Sequence, residues 1–463
     1  MNKQEIDFTE GNIRGKIIKF VLPIIGAYLI QQAYNSADLI FSGNMLGKNY
    51  SAAIGASSLL VVLAIGLFGG LSVGTGILFA RAFGAHDIPA RRRIGRTVLM
   101  VSILVGSGLT LAGIIFARPA LILLQTPNEV LDLAVEYIRI YFLSIIPMMI
   151  FNMTSGMLRA VGNSRIPMIF QTISGGLNIY LDWLFIKTMN DGIFAVAMAT
   201  FISQALAAAM TYAYFEITEK KHYEFHLRAG NAETSGHVSE DIVPSTSKGI
   251  IKLIFSIGMP IGIQNMIVTL SNLFIQANIN TLGVDPMATF ADYFKIELFM
   301  YYPIVAFGQA ALFIVSQNVG AGNYDRIRPT VRKCITTALP IVAAICAAVI
   351  IFAGPLFRFF NPEAEVIRLG KELIYITAPF YCLYVILETL SNCVRSMGRS
   401  KTSMFISLAN FAVARALLLI LFAALGLLSV RTVGMIYPIT WTTSVICYYV
   451  AWWMVRDKRP DKC

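Results

Sequence analysis

Two aspartates, Asp38 and Asp182, stand inside long apolar stretches of this chain. A carboxylate in hydrocarbon costs about 2.5–3.5 kcal/mol on insertion scales, so such a residue marks a functional site by default, most often for an ion or a proton. Gln31, Tyr34 and Asp38 are spaced three and four residues apart and share one face of a helix. Pro23, earlier in the same stretch, removes a backbone hydrogen bond and permits a bend. Asn178 and Asp182 share a face by the same rule, and Thr200 stands in the next apolar stretch, two turns past Gly192. Carboxylate, amide and hydroxyl oxygens are hard ligands; they suit Na⁺ or a shared proton, and the spacing alone does not choose between the two. The competing reading is that the two aspartates only bond neighbouring helices.

Other charges also fall in apolar stretches. Asp292 and Lys295 are spaced to neutralise each other, with Glu297 beside them. Glu388 and Arg415 stand further on, either paired across helices or lining a cavity. Lys295, Glu297, Glu388 and Arg415 are therefore the candidates of the second half. Gly66, Gly69, Gly70, Gly74 and Gly76 form a run that favours close helix packing over a hinge. The six cysteines lie in the second half without metal-ligand spacing and read as packing residues.

The elements that must hold these residues can be read from composition. The chain has 463 residues, of which 56% are hydrophobic and 14% charged. Apolar runs of twenty or more residues recur from end to end and do not alternate as barrel strands would, so the fold is all-α and polytopic. Twelve spans are expected, near 16–42, 52–79, 96–117, 133–157, 166–187, 192–214, 250–281, 287–316, 333–353, 369–393, 402–428 and 432–455. Most of the 37 basic residues fall in the tails and the even-numbered loops, densest at Arg91, Arg92, Arg93 and Arg96. Both termini are therefore expected in the cytoplasm, and the net charge of +11 is a topology signal. Nucleic-acid binding is excluded, because no extramembrane segment is long enough to fold as a basic domain. Short loops suggest the inner membrane of a prokaryote.

The two halves repeat at an offset of 236 residues. Leu46 and Gly47 match Leu282 and Gly283, Gly84 matches Gly320, Glu136 matches Glu372, and Arg159 to Arg165 matches Arg395 to Lys401. Asp38, Asn178 and Asp182 map instead onto Phe274, Ala414 and Leu418, so the polar cluster belongs to the first half alone. The domains read as a six-helix bundle over 1–215, a polar cytoplasmic linker over 216–248 and a second six-helix bundle over 249–463. Two bundles joined by a flexible strap suit a carrier working by alternating access. No embedded His, HExxH or GxSxG supports an enzyme.

These residues resemble the multidrug and toxic compound extrusion (MATE) transporters, over nearly the whole chain. The resemblance rests on Asp38-Leu-Ile-Phe41, the helix ends at Gly84 and Gly320, Arg159-Ala-Val-Gly-Asn-Ser-Arg-Ile-Pro167, Leu177-Asn-Ile-Tyr-Leu-Asp-Trp-Leu-Phe185 and Gly192 through Thr200 to Gln204. It implies two pseudo-symmetric bundles in a V, exporting small organic and often cationic compounds in exchange for H⁺ or Na⁺, with no other cofactor. In the DinF-like subfamily the coupling site would fall on Asp38, Asn178, Asp182 and Thr200, where Na⁺ is one candidate occupant. Gln31 and Tyr34 would stand beside it, with bending at Pro23. The other main subfamily has acidic residues on spans seven and ten; only Glu388 is available here, which favours the DinF-like assignment. A functional monomer in the lipid bilayer is expected. The alternative is a lipid-linked oligosaccharide flippase of the same wider superfamily, which would need more cavity cations than Lys295 and Arg415.

Overall fold

Long uninterrupted apolar sequence has one way to satisfy its backbone in hydrocarbon, and the chain takes it. The computed structural model describes residues 5–41, 48–189, 192–228 and 242–456, and among these there are helices and no strand. The first repeat comprises α1 (Ile13–Phe41), α2 (Lys48–Gly84), α3 (Ile88–Leu123), α4 (Asn128–Leu143), α5 (Ile145–Ala160), α6 (Arg165–Thr188) and α7 (Gly192–Arg228). The second comprises α8 (Ser247–Asn280), α9 (Val284–Gly320), α10 (Tyr324–Ile351), the short α11 (Ala353–Phe360), α12 (Ala364–Thr377), α13 (Tyr381–Ser396), α14 (Ser400–Ser407), α15 (Arg415–Ala424) and α16 (Val430–Val455).

Among the described residues these helices make twelve spans. Helices α4 and α5 form one span bent by 44°. A 3₁₀ turn at Ala378–Phe380 joins α12 to α13, and a π-helical segment at Leu408–Ala414 joins α14 to α15. Eight described helices or joined helices are long and apolar enough to cross a membrane, and the bent pair makes a ninth. The remaining spans are α1, α6 and α16, with 29, 24 and 26 residues. At about 1.5 Å per residue each exceeds a hydrocarbon core of about 30 Å. The protein is a multi-pass membrane protein.

The repeat is visible in the elements themselves. The boundaries of α2 and α9 differ by 236 residues at both ends, and so do those of α5 and α13. The turns repeat as well. Gly162 (φ 79°) and Gly398 (φ 86°) occupy the left-handed region at matching positions, as do His86 (φ 56°) and Gly322 (φ 71°). At Gly162 a side chain is excluded twice over, since a Cβ would also stand 2.5 Å from the Ile6 carbonyl oxygen.

Packing divides the chain into two units: Met1–Asp7 with Leu22–Gly262, and Phe8–Val21 with Ile263–Cys463. One dividing point precedes α1, and the other two fall inside α1 and inside α8, one residue from Pro23 and two from Pro260. In the first unit the start of α8 lies against α2 with backbone almost touching backbone. A Cβ on Gly70 would stand 2.1 Å from the Gly262 nitrogen, and one on Gly74 would stand 2.9 Å from the Gly258 nitrogen. Two small residues four apart on each helix permit that approach. The glycine run of the second span is thus a packing surface at Gly70 and Gly74. In the second unit, Phe8 donates its backbone N–H to Gln317 Oε1 at 2.8 Å. Phe20 sets its ring edge-on to Phe8 and Phe313, at centroid distances of 5.6 and 6.1 Å.

Helix α7 continues through 216–228, so the segment read as a flexible strap begins as helix; residues 229–241 lie outside the described set. The extension is anchored by Glu219, which forms a buried ion pair with Arg91 at the start of α3. Arg91 is stacked over Phe79 and Phe83. Such an anchor suppresses the fraying expected of a polar helix end.

Replacing Gly70 with Ala is expected to force α2 from α8 and cost about 1–3 kcal/mol. Gly108→Ala, where a Cβ meets nothing within 4 Å, should be neutral or slightly stabilising. Melting curves of the two detergent-purified variants check the contrast.

Candidate functional site

Helix α6 carries the polar face of the first unit. Ser174, Gly175, Asn178, Leu181 and Asp182 are buried, whereas Tyr180 and Trp183 point outward. Asp182 has 0% of its surface exposed and Asn178 has 4%. The buried set recurs at three and four residues, so it is one stripe. The stripe faces α1 and α7. Toward α1, a Cβ on Gly175 would stand 3.0 Å from Tyr34 Cδ1, so only glycine lets that ring lie against α6. Gln171 Nε2 donates to the Tyr34 hydroxyl at 3.5 Å. Toward α7, Ser174 donates to the Ser203 carbonyl at 2.7 Å, and Ser203 donates to the Thr200 carbonyl at 2.9 Å.

Tyr34, Asn178, Asp182 and Thr200 therefore lie on neighbouring helices of one unit. Thr200 is half-buried and spends its proton on the Val196 carbonyl at 3.2 Å, leaving its oxygen as an acceptor. Asn178 Nδ2 is buried without a hydrogen-bond partner among the described residues. An unmet amide donor beside a fully buried carboxylate is costly unless something occupies the site. Gln31 is exposed on α1. Asp38 is one turn past Tyr34 on the same helix, but its side chain lies outside the described residues. Pro23 sits inside α1, beside the point where the helix passes from one unit to the other.

The second unit answers with a different arrangement. Lys295 is tied to Asp292 at 3.1 Å and covers the Phe360 ring at 5.0 Å, so its charge is internally compensated. Glu388 accepts from Asn392 Nδ2 at 2.8 Å. Among the described ion pairs Arg415 does not meet Glu388. It lies between the rings of Phe411 and Tyr437, 4.6 and 4.9 Å from their centroids. Its Nη1 donates to Asn272 Oδ1 at 3.2 Å and its Nε to Thr440 Oγ1 at 3.4 Å. Glu297 accepts from the Tyr381 hydroxyl at 2.5 Å, and Tyr293 donates to Thr377 at 3.1 Å. The sequence reading missed the tyrosines of this cluster. Aromatics are abundant throughout the chain, and the one signal was spacing: Tyr293 with Glu297, Tyr381 with Tyr384 and Tyr437 with Trp441 each share a helical face.

Comparison with known proteins gives one answer. The MatE family model matches the chain twice, at residues 23–184 and 260–421. A probable multidrug resistance protein of Bacillus subtilis, YpnP, is 27% identical over 421 residues, covering 90% of both chains. A probable multidrug resistance protein of Thermotoga maritima, NorM, is 25% identical over 444 residues, covering 94% of this chain and 91% of its own. Among solved structures, a MATE in complex with MaL6 superposes with a TM-score of 0.85 at 21% identity, covering 98% and 99% of the two chains.

Asn178→Leu separates a structural amide from a ligand. Removing an unmet buried donor should raise the melting temperature in ion-poor buffer. The same change should abolish any extra stabilisation from added Na⁺ or lowered pH. Melting curves over a grid of pH and Na⁺ read both effects.

Proposed function

The chain belongs to the MatE family, and from that premise we propose that it is a secondary antiporter that expels small organic compounds from the cell in exchange for H⁺ or Na⁺. The observation that carries the coupling half is Asp182, a fully buried membrane carboxylate sharing a stripe with Asn178 on α6, the helix that packs against Tyr34 of α1 and against α7, which carries Thr200. Asp38, one helical turn from Tyr34, is the second carboxylate of the site. The names of curated relatives, which include the multidrug export protein MepA of Staphylococcus haemolyticus, support drugs and toxic compounds as cargo.

The mechanism rests on differential binding. A cation arriving from outside neutralises Asp38 and Asp182. Neutral carboxyls repack the upper part of α1 against α6, where Tyr34 meets Gly175. The cation need only favour one of the two conformations for its downhill flow to drive the other solute uphill. Substrate then leaves outward, and loss of the cation to the cytoplasm restores the charged site. The orientation accords with the basic-residue bias, with both termini cytoplasmic and the chain in the inner membrane. The Asp292 tie on Lys295 removes one of the two cations that a lipid pyrophosphate would need, which weighs against a flippase.

Proteoliposomes with separately imposed pH and Na⁺ gradients test the reading. Asp182→Asn and Asp38→Asn should each abolish gradient-driven efflux while the protein inserts and melts as the parent does. The gradient that drives the parent names the ion. Undiminished export by both variants would reject the coupling role.

A further inference from the structure

Arg415 is a buried cation of the second unit with no ion pair among the described residues. It opens α15 directly after the π-helical segment Leu408–Ala414. An inserted π turn widens a helix and re-aims the side chains beyond it, and such turns concentrate at functional sites. The side chain is 3% exposed. Two rings clamp it, and two of its nitrogens are bonded to neutral oxygens on Asn272 and Thr440. Nη2 makes no hydrogen bond, and no carboxylate lies within 4.0 Å of the guanidinium, among the described residues. The Tyr437 hydroxyl on the adjoining ring is buried and without a partner among the described residues.

A guanidinium and an adjoining phenol hydroxyl are donors of the kind a carboxylate takes up, one oxygen on each. The surroundings suit the rest of an organic molecule. Tyr384 and Tyr301 are half-buried, with ring centroids 6.0 Å apart, and Trp441 backs Tyr384 at 5.1 Å. We propose that Arg415 and Tyr437 form a substrate subsite that receives the carboxylate of an aromatic acid or zwitterion, with its ring against Tyr384 and Tyr301.

The other charges facing this group are accounted for. Glu297 on α9 lies within electrostatic reach, and it is turned onto the Tyr381 hydroxyl. Glu388 on α13 is bonded to Asn392, and Asp292 is paired with Lys295. The inference rests on the export reading. It adds that the second unit reads the acid end of the cargo.

The test is equilibrium binding to the full chain in lipid nanodiscs, without any gradient, so that failed ion coupling does not touch it. Fluorescence polarisation compares the free acid and the methyl ester of one rhodamine dye. The parent should bind the acid about tenfold or more tighter than the ester. Arg415→Gln should erase that preference, and Glu297→Gln should widen it by removing the competing charge. Tyr437→Phe guards against a misfolded Arg415 variant. It loses only an unpartnered buried hydroxyl, so it should melt at or above the parent's temperature yet lose several-fold of the preference. Equal binding of acid and ester by the parent overturns the proposal, as does a preference that survives in both Arg415→Gln and Tyr437→Phe. A parent that exports the ester without preferring the acid would sink this inference and leave the export reading standing.

Discussion

Inside a hydrocarbon layer no water completes a hydrogen bond, so every polar group there must be met by the chain or by a ligand. That constraint shapes both units. Backbone groups are met by unbroken helices. Side-chain groups are met by close neighbours: Ser174 on the Ser203 carbonyl, Ser72 on the Asn152 carbonyl, and Thr110 on the Phe142 carbonyl. Many polar side chains in the spans are helix fasteners of this kind. Among the buried groups left unmet are the Asn178 amide in one unit and the Tyr437 hydroxyl, beside Arg415, in the other.

The repeat makes the contrast sharper, because the two units share a backbone plan and differ in what they bury. The first buries a carboxylate and an amide on α6 beside a ring held at Gly175. At the matching place the second interrupts the helix with the π segment and presents Arg415. Around it stand Glu297, three tyrosines and Trp441. Elsewhere the second unit is knotted shut. Gln264, Ser403, Ser407 and Tyr448 bond one another across α8, α14 and α16, which fixes α8 just beyond the point where it leaves the first unit. One ancestral plan thus carries an acidic ion-type site in one copy and an aromatic, basic one in the other.

Close backbone approach is the second recurring device. Gly70 and Gly74 bring α2 against Gly258 and Gly262 of α8, and Gly175 lets Tyr34 reach α6. Dispersion between backbones replaces the hydrophobic driving force, which is absent between helices in lipid. The prolines stand where this packing changes hands: Pro23 and Pro260 each lie within two residues of a unit boundary.

The sequence by itself determined the class, the twelve spans, the repeat and the identity of the α6 stripe. Each of these depends on periodicity, length or a constant offset, which are properties of the chain read in one dimension. The Asp292–Lys295 pair was legible for the same reason, being three residues apart on one helix. Features that depend on contacts between distant segments were not legible. Two of the unit boundaries fall inside α1 and α8, helices that pack differently along their lengths, and no composition change marks the place. Arg415 read either as a partner for Glu388 or as lining a cavity, and its place beside the π turn and between the rings of Phe411 and Tyr437 was not legible. Its partners come from α8, α16 and the π segment, and only tertiary packing brings such segments within the 3–5 Å over which hydrogen bonds and ring contacts act.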